Sequence, residues 1–213
     1  QAHASLSSGD WKRSNFVGVE LHGKTVGIIG LGRIGSLVAE RLAGFGVELI
    51  GFDPHVQPAK ASQLGVELTT LPDVMAKSDF ITIHIPKTPE TTGLIGIEEL
   101  RSAKKTLRIV NTSRGGIIDE AALVTALSEG IIDAAGIDVF VNEPPLGSPL
   151  LALPNIVVTP HLGASTKEAQ DNAGESVARS VRLALDGELV PDAVNVSSGV
   201  IDQSVRPGIP LME

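Results

Sequence analysis

Three glycines at G-x-G-x-x-G spacing, Gly30, Gly32 and Gly35, break an apolar run that begins at Val26 and resumes at helical spacing to Ala39. The pattern reads as strand, tight turn and helix. The first glycine permits the turn, the second lets backbone approach a pyrophosphate, and the third lets the helix lie close to the strand. Phosphates would sit at the N-terminus of a helix starting near Arg33, where free N–H groups and the positive dipole end favour anionic charge. Because glycine supplies 23 of the 213 residues, this spacing alone is weak. A second apolar segment, Val47 to Phe52, ends in Asp53, 18 residues past Gly35. A carboxylate there can accept both ribose hydroxyls of an adenosine and would repel a 2′-phosphate, which favours NAD over NADP. The competing reading of Asp53 is a turn residue ahead of Pro54.

In a sheet of this kind ligands lie outside the carboxyl ends of the strands, and three further side chains stand at such ends. Arg114 follows Asn111-Thr112-Ser113 and precedes paired glycines, which suggests that backbone there passes close to something. Glu143 follows Asp138-Val139-Phe140, and His161 follows Pro160. Hydride transfer at a secondary alcohol carbon needs a base or acid for the hydroxyl proton, a group that orients it, and a cation that grips and polarises the substrate. His161, Glu143 and Arg114 are the right types for those roles. Each has a plainer alternative: His161 could cap the next helix, Arg114 could pair with Asp119, and Glu143 could be a solvated loop acid. His3, His22, His55 and His84 lack metal-ligand spacing, so no metal is expected. Ser113 lacks a nucleophile-elbow context.

The elements that would position these groups alternate strand and helix, the pattern of an α/β fold with a doubly wound parallel sheet. Strands are predicted at 24–30, 47–52, 66–69, 79–85, 107–112, 134–139 and 155–159. Leu37, Val38, Arg41 and Leu42 are expected to share one helical face, and Leu123, Val124 and Leu127 another after Asp119-Glu120 at a helix start. A last helix is expected from Ser165 or Thr166, with Glu168 completing a capping box, to about Asp186-Gly187. A short strand is expected at Val194-Asn195-Val196. Residues before Lys24 read as a helix tail and a long loop. Trp11, the only tryptophan, either packs on its own domain or anchors a partner subunit.

A net charge of −8 argues against a nucleic-acid or anionic-membrane partner, both of which require a positive field. No apolar run approaches membrane-spanning length, and with no cysteine there are no disulfides or thiolate sites. The default compartment is cytoplasmic. A chain that starts at Gln1 and stops at Glu213 without a closing element is expected to be a fragment.

Over roughly residues 20 to 196 these motifs resemble the D-isomer-specific 2-hydroxyacid dehydrogenase family: the glycine fingerprint, Asn111 to Gly116, Asp138-Val139-Phe140 with Glu143-Pro144, and Pro160-His161 occur in family order. The segment Thr159 to Gln170 and the ending Asp192 to Val196 are most similar to the branch acting on 3-phospho-D-glycerate, the entry to L-serine synthesis. The resemblance implies a Rossmann NAD-binding domain, with Arg114 as substrate clamp and His161 as proton donor for reduction, partnered by Glu143. It also implies that the Arg33 and Ile34 amides meet the pyrophosphate, that Asp53 meets the ribose, and that Ile85, Thr112, Ser113 and Arg114 line the cofactor. Asp138 would accept from the carboxamide, and Gly163 and Ala164 would follow His161 along the nicotinamide.

Family members have a second, substrate domain, expected to be largely absent here. Residues 1–20 would be a crossing helix and loop at a subunit contact, 21–193 the NAD-binding domain, and 194–213 the start of the return. A homodimer or homotetramer is expected, with low or absent turnover for the fragment. Dehydrogenases of glycerate, glyoxylate or 2-oxoglutarate, a non-catalytic NAD-sensing module, and a dimerisation core remain alternatives.

Overall fold

The computed structural model describes residues 2–191 and 193, in two compact units that divide between Pro160 and His161. The expected strand at Val194 to Val196 and the return segment from 194 onward lie outside the described residues.

The first unit is built on a seven-stranded, wholly parallel sheet. Its strands are β1 (Thr25–Ile29), β2 (Glu48–Phe52), β3 (Val66–Leu68), β4 (Phe80–Ile83), β5 (Arg108–Asn111), β6 (Ala134–Ile137) and β7 (Ile156–Val158), in the order β3-β2-β1-β4-β5-β6-β7. All seven fall inside the predicted ranges. The chain builds outward from β1 to β3 and then crosses back to β4, so a crevice opens beyond the carboxyl ends of β1 and β4. Ahead of the sheet lies α1 (Ala2–Ser7), and the crossovers carry α2 (Arg33–Ala43), α3 (Pro58–Gln63), α4 (Leu71–Lys77), α5 (Ile97–Ser102) and α6 (Glu120–Ser128). The second unit contains α7 (Lys167–Leu185), capped by the Thr166 hydroxyl, which accepts from the Ala169 amide at 3.1 Å. Of the two expected starts, Ser165 and Thr166, the cap is Thr166. The plainer reading of His161 as that helix's cap fails.

The sheet separates two apolar clusters, as a central parallel sheet must when both faces are covered. Val26 and Ile28 of β1 join Leu31, Ala39, Leu49, Ala61 and Val66 on one face, whereas Ile29 joins the larger cluster around Met75, Ile81, Ile83, Ile109 and Leu123 on the other. Period-two alternation along β1 thus feeds both cores. The expected face of α2 is rotated. Gly35 and Ala39 are buried, whereas Leu37 is 47% exposed and Arg41 is exposed. A helix that must lie against a glycine turn presents its smallest residues inward, and that demand overrides the larger apolar side chains. In α6 the expected face holds: Leu123 and Leu127 are buried, and the Asp119 carboxylate caps the helix through the Ala122 amide at 2.8 Å.

At the opposite, amino end of the sheet, Asp79 ties three strands together. Its carboxylate accepts from the Thr25 amide (3.0 Å) and pairs with Lys104 (3.0 Å), and its carbonyl accepts from the Arg108 amide (3.0 Å). Partial burial works against its charge, but the Thr25 amide and Lys104 outweigh that penalty and hold the carboxyl below the usual aspartate range. A depressed native pKa contributes stability that is present at neutral pH and lost as pH falls through the native value. Asp79→Asn is therefore expected to lower the melting temperature at pH 7 by a few degrees, about 1 kcal/mol. The gap from the unsubstituted chain should close in acid; melts in which it stays constant from pH 7 to pH 3 would refute the assignment.

Candidate functional site

The glycine turn is shaped by contacts that leave no room for side chains. Gly30 has a φ of +94°, and a Cβ there would stand 2.6 Å from both the His84 carbonyl oxygen and Ile85 Cγ2. At Gly35 a Cβ would meet the Gly30 carbonyl oxygen at 1.9 Å. At Gly32, by contrast, nothing lies within 4 Å. The first and third glycines thus close the turn onto the neighbouring backbone, and the second opens onto clear space. Gly32 is also the N-cap of α2 and supplies no side-chain cap, so backbone N–H groups of the first turn, which includes Arg33 and Ile34, face that opening. The arrangement fits the pyrophosphate of a dinucleotide.

Asp53 connects the turn to the end of β2. One carboxylate oxygen accepts from the Leu31 amide at 2.7 Å and the other from the His55 amide at 2.8 Å. Asp53 thus closes a local turn ahead of His55, as its plainer reading has it, and stands beside the glycine loop. A cavity of about 520 Å³ opens next to it, lined by Leu31, Gly32, Asp53, His55 and Lys60 among others. That space is the right kind for an adenosine, with a carboxylate fixed by backbone donors at its inner end. Beneath the turn, burial pushes the His84 imidazole below its ordinary pKa, and its Nε2 lies 2.9 Å from Thr82 Oγ1.

A second group of expected residues gathers beyond β5 and β6. Asn111, 2% exposed, holds the segment from Thr112 to Arg114: its Oδ1 accepts from the Ser113 amide (3.0 Å) and hydroxyl (2.9 Å), and its Nδ2 donates to the Arg114 carbonyl (3.0 Å). Arg114 is exposed, with its guanidinium donating to the Ser113 carbonyl at 2.6 Å. Asp119, its suggested partner, is occupied in capping α6. The paired glycines do pass close to something, namely the chain itself. A Cβ at Gly115 would stand 1.9 Å from the Phe140 carbonyl oxygen. Glu143 accepts from the Phe140 amide at 3.0 Å, and Glu120, from the start of α6, accepts from the Val141 amide at 2.6 Å. The loops carrying Arg114 and Glu143 are thereby locked to each other through Phe140. Asp138 is 3% exposed and accepts from the Thr159 hydroxyl.

Gly30, Gly32, Arg33, Ile34, Gly35, Asp53, Ile85, Thr112, Ser113, Arg114, Asp138 and Glu143 therefore all lie in turns or loops that follow strands of one sheet, or in the first turn of α2. His161, Gly163 and Ala164 fall in the second unit and are exposed. Among the described residues His161 is the one non-glycine with positive φ, at 56°, a conformation that costs energy and concentrates at functional positions. Sequence reasoning passed over Asn111 and Glu120 as positioning groups. The Asn-x-Ser spacing, which favours a local side-chain turn, could have signalled the first; the second is a contact across 21 residues with no local signal.

Gly115→Ala is expected to force the Arg114 and Glu143 loops apart and to cost about 1–3 kcal/mol, whereas Gly35→Ala should displace α2 from the turn. Thermal melts and NAD titration test both. Gly35→Ala should abolish NAD binding, and Gly115→Ala should lower stability while leaving the adenosine end intact; native-like NAD affinity in Gly35→Ala would refute the cradle.

The profile of the family described as D-isomer specific 2-hydroxyacid dehydrogenase, NAD binding domain, matches residues 1–163. The chain is similar to the D-3-phosphoglycerate dehydrogenase of Mycobacterium bovis, at 58% identity over 211 residues, 99% of this chain and 40% of that protein. It thus spans about two fifths of the length of the curated relatives it matches. Among solved structures it is similar to D-lactate dehydrogenase with NAD+ from Lactobacillus jensenii (TM-score 0.79, 28% identity, 91% of this chain and 62% of that one). It is also similar to an acyclic imino acid reductase, Bsp5, in complex with NADPH and D-Arg (TM-score 0.80, 29% identity, 87% and 59%). With its doubly wound sheet, its glycine cradle and its Asp53-floored cavity, the chain belongs to the D-isomer-specific 2-hydroxyacid dehydrogenase family, as an NAD-binding domain.

Proposed function

We propose that the complete protein is an NAD-dependent oxidoreductase that interconverts 3-phospho-D-glycerate and 3-phosphohydroxypyruvate, the first step of L-serine biosynthesis. The observation that carries this reading is the contact between two loops beside the dinucleotide cradle: Gly115 packed on Phe140 keeps a guanidinium and a carboxylate on one edge of the sheet. The similarity to D-3-phosphoglycerate dehydrogenases along nearly the whole chain supports the substrate.

Bound NAD supplies a hydride acceptor, and the chain's own residues do the rest. Arg114 grips the substrate carboxylate through paired N–H donors and polarises the C2 oxygen as it becomes a carbonyl. His161 takes the hydroxyl proton as the C2 hydride departs, and returns it in reduction. Glu143, held from behind by the Phe140 amide, orients the imidazole and stabilises its protonated form. The Arg33 and Ile34 amides receive the pyrophosphate, Asp53 the ribose, and Ile85, Thr112 and Ser113 line the path to the nicotinamide. In the same reading Asp138 accepts from the carboxamide, and Gly163 and Ala164 flank the ring.

A second copy of the chain is the proposed partner, in a dimer or tetramer. Trp11 is 75% exposed, with Leu6 at 56% and Phe16 at 40% on the same amino-terminal segment, an apolar surface of the kind that anchors subunits.

Two measurements test these roles. Calorimetry should find that Asp53→Ala weakens NAD binding tenfold or more, about the value of hydrogen bonds to a charged group, while His161→Ala changes it little; equal losses would undo the assignment. In the complete protein, His161→Asn should lower kcat about 10²–10⁴-fold for 3-phosphoglycerate oxidation, and retained turnover would remove His161 as the base.

A further inference from the structure

The cavity beside Asp53 carries an imbalance that its role in binding a ribose does not require. Its wall holds one carboxylate, Asp53, beside the Lys60 ammonium and the His55 imidazole. Lys60 forms no ion pair or side-chain hydrogen bond with the described residues, although it shares the cavity with Asp53. Each oxygen of that carboxylate accepts one backbone amide, Leu31 on one and His55 on the other, with lone pairs left for a further donor. It is thereby pinned to the inner end of the cavity rather than swung onto the lysine. Gln57 and Gln63 add further hydrogen-bonding side chains to the same wall. A ribose diol asks only for acceptors, which Asp53 provides. A cation, a ring N–H and amide donors around the same space are the groups that bind a phosphate dianion.

We propose that discrimination against a 2′-phosphorylated dinucleotide rests on the Asp53 carboxylate alone, and that Lys60, with His55 beside it, forms a latent 2′-phosphate cradle in the same cavity. The proposal rests on the reading of this cavity as the adenosine end of the NAD site. With Asp53 ionised, a 2′-phosphate meets like charge fixed in place by two backbone donors and cannot push it aside without breaking both bonds. Once that charge is removed, the lysine ammonium becomes the dominant charge in the cavity, and the phosphate gains a partner without any new residue being introduced.

Calorimetric titration of the chain and its variants with NAD and NADP tests the idea. Asp53→Asn removes the charge and keeps one oxygen to accept from the Leu31 or the His55 amide, at the cost of the other amide's acceptor; Asp53→Ser is the smaller companion variant, and a thermal melt reports whether each is folded. The unsubstituted chain should bind NAD and favour it over NADP by tenfold or more. In Asp53→Asn the ratio should shift toward NADP by at least tenfold, and the gained NADP affinity should fall steeply with added salt, as expected for an ammonium–phosphate contact. Adding Lys60→Gln to Asp53→Asn should take most of that gain away, with His55→Gln taking a smaller part. If folded Asp53→Asn and Asp53→Ser both lose NAD without gaining NADP, or if the gain survives Lys60→Gln together with His55→Gln, the cradle is overturned. Failure of the unsubstituted chain to bind NAD at all would overturn the cofactor reading first, and the cradle with it, an outcome separate from the other two.

Discussion

The close approach of Gly35 to the Gly30 carbonyl, 1.9 Å from where a Cβ would be, is the constraint on which the rest of the site depends. It sets how near α2 can lie to the end of β1, and so decides that the amides of the first helical turn face the crevice. It also decides which side of α2 faces the sheet. Gly35 and Ala39 turn inward, and Ile34 and Leu37 are left exposed. A helix chosen by hydrophobicity alone would rotate to bury the leucine, but here close packing of backbone on backbone governs the rotation, and the turn is held from three sides. Gly30 donates to the Phe52 carbonyl, Leu31 donates to Asp53, and Ser36 Oγ donates to the Leu31 carbonyl. One carboxylate at the end of β2 therefore ties the glycine turn to the segment after β2, at the wall of the adjoining cavity.

The substrate side is organised by the same economy of backbone contact. Asn111 bonds Ser113 through its oxygen and the Arg114 carbonyl through its nitrogen, which gives Arg114 a firm base from which an exposed guanidinium can reach. Gly115 then brings that base against Phe140, and the successive amides of Phe140 and Val141 are taken by Glu143 and Glu120. Phe140 is buried, and a buried amide left without an acceptor would cost about 1–3 kcal/mol, so Glu143 stabilises the loop as well as shapes it. The consequence is that the loops carrying Arg114 and Glu143 cannot drift independently. Their shared dependence on Phe140 gives a physical reason for a small residue at 115 that has nothing to do with a ligand touching it.

Across the sheet the labour is divided by end. The carboxyl end holds glycines, one of them at a φ of +94°, and exposed polar groups, features that spend stability. The amino end holds Asp79 with Lys104 and the Thr25 amide, and Arg108 with Asp133, features that supply it. Function at one edge of a parallel sheet is compatible with a firm fold because the strands' other edge is free to be bonded for stability alone.

The fold class and the positions of all seven strands were legible in the sequence, because strand and helix periods, glycine punctuation and helix-start residues are local signals. The glycine fingerprint, Asp53, Arg114, Glu143 and His161 were legible as chemical types at strand ends, since the topology of a doubly wound sheet says where such ends gather. What the sequence left open was how each was held. The rotation of α2 and the seating of Gly115 on Phe140 were decided by tertiary structure, and the structure chose between readings the sequence offered at α7, where Thr166 and not Ser165 is the cap, and at Asp119, which caps α6. The seating of Gly115 joins parts of the chain far apart and that of α2 nearby ones, both decided by whether a Cβ fits, whereas each cap joins residues only three apart and is decided by which side chain reaches the amide that lacks an acceptor. Local periodicity carries no record of whether a Cβ fits, because that condition comes into being only when the strands stand side by side.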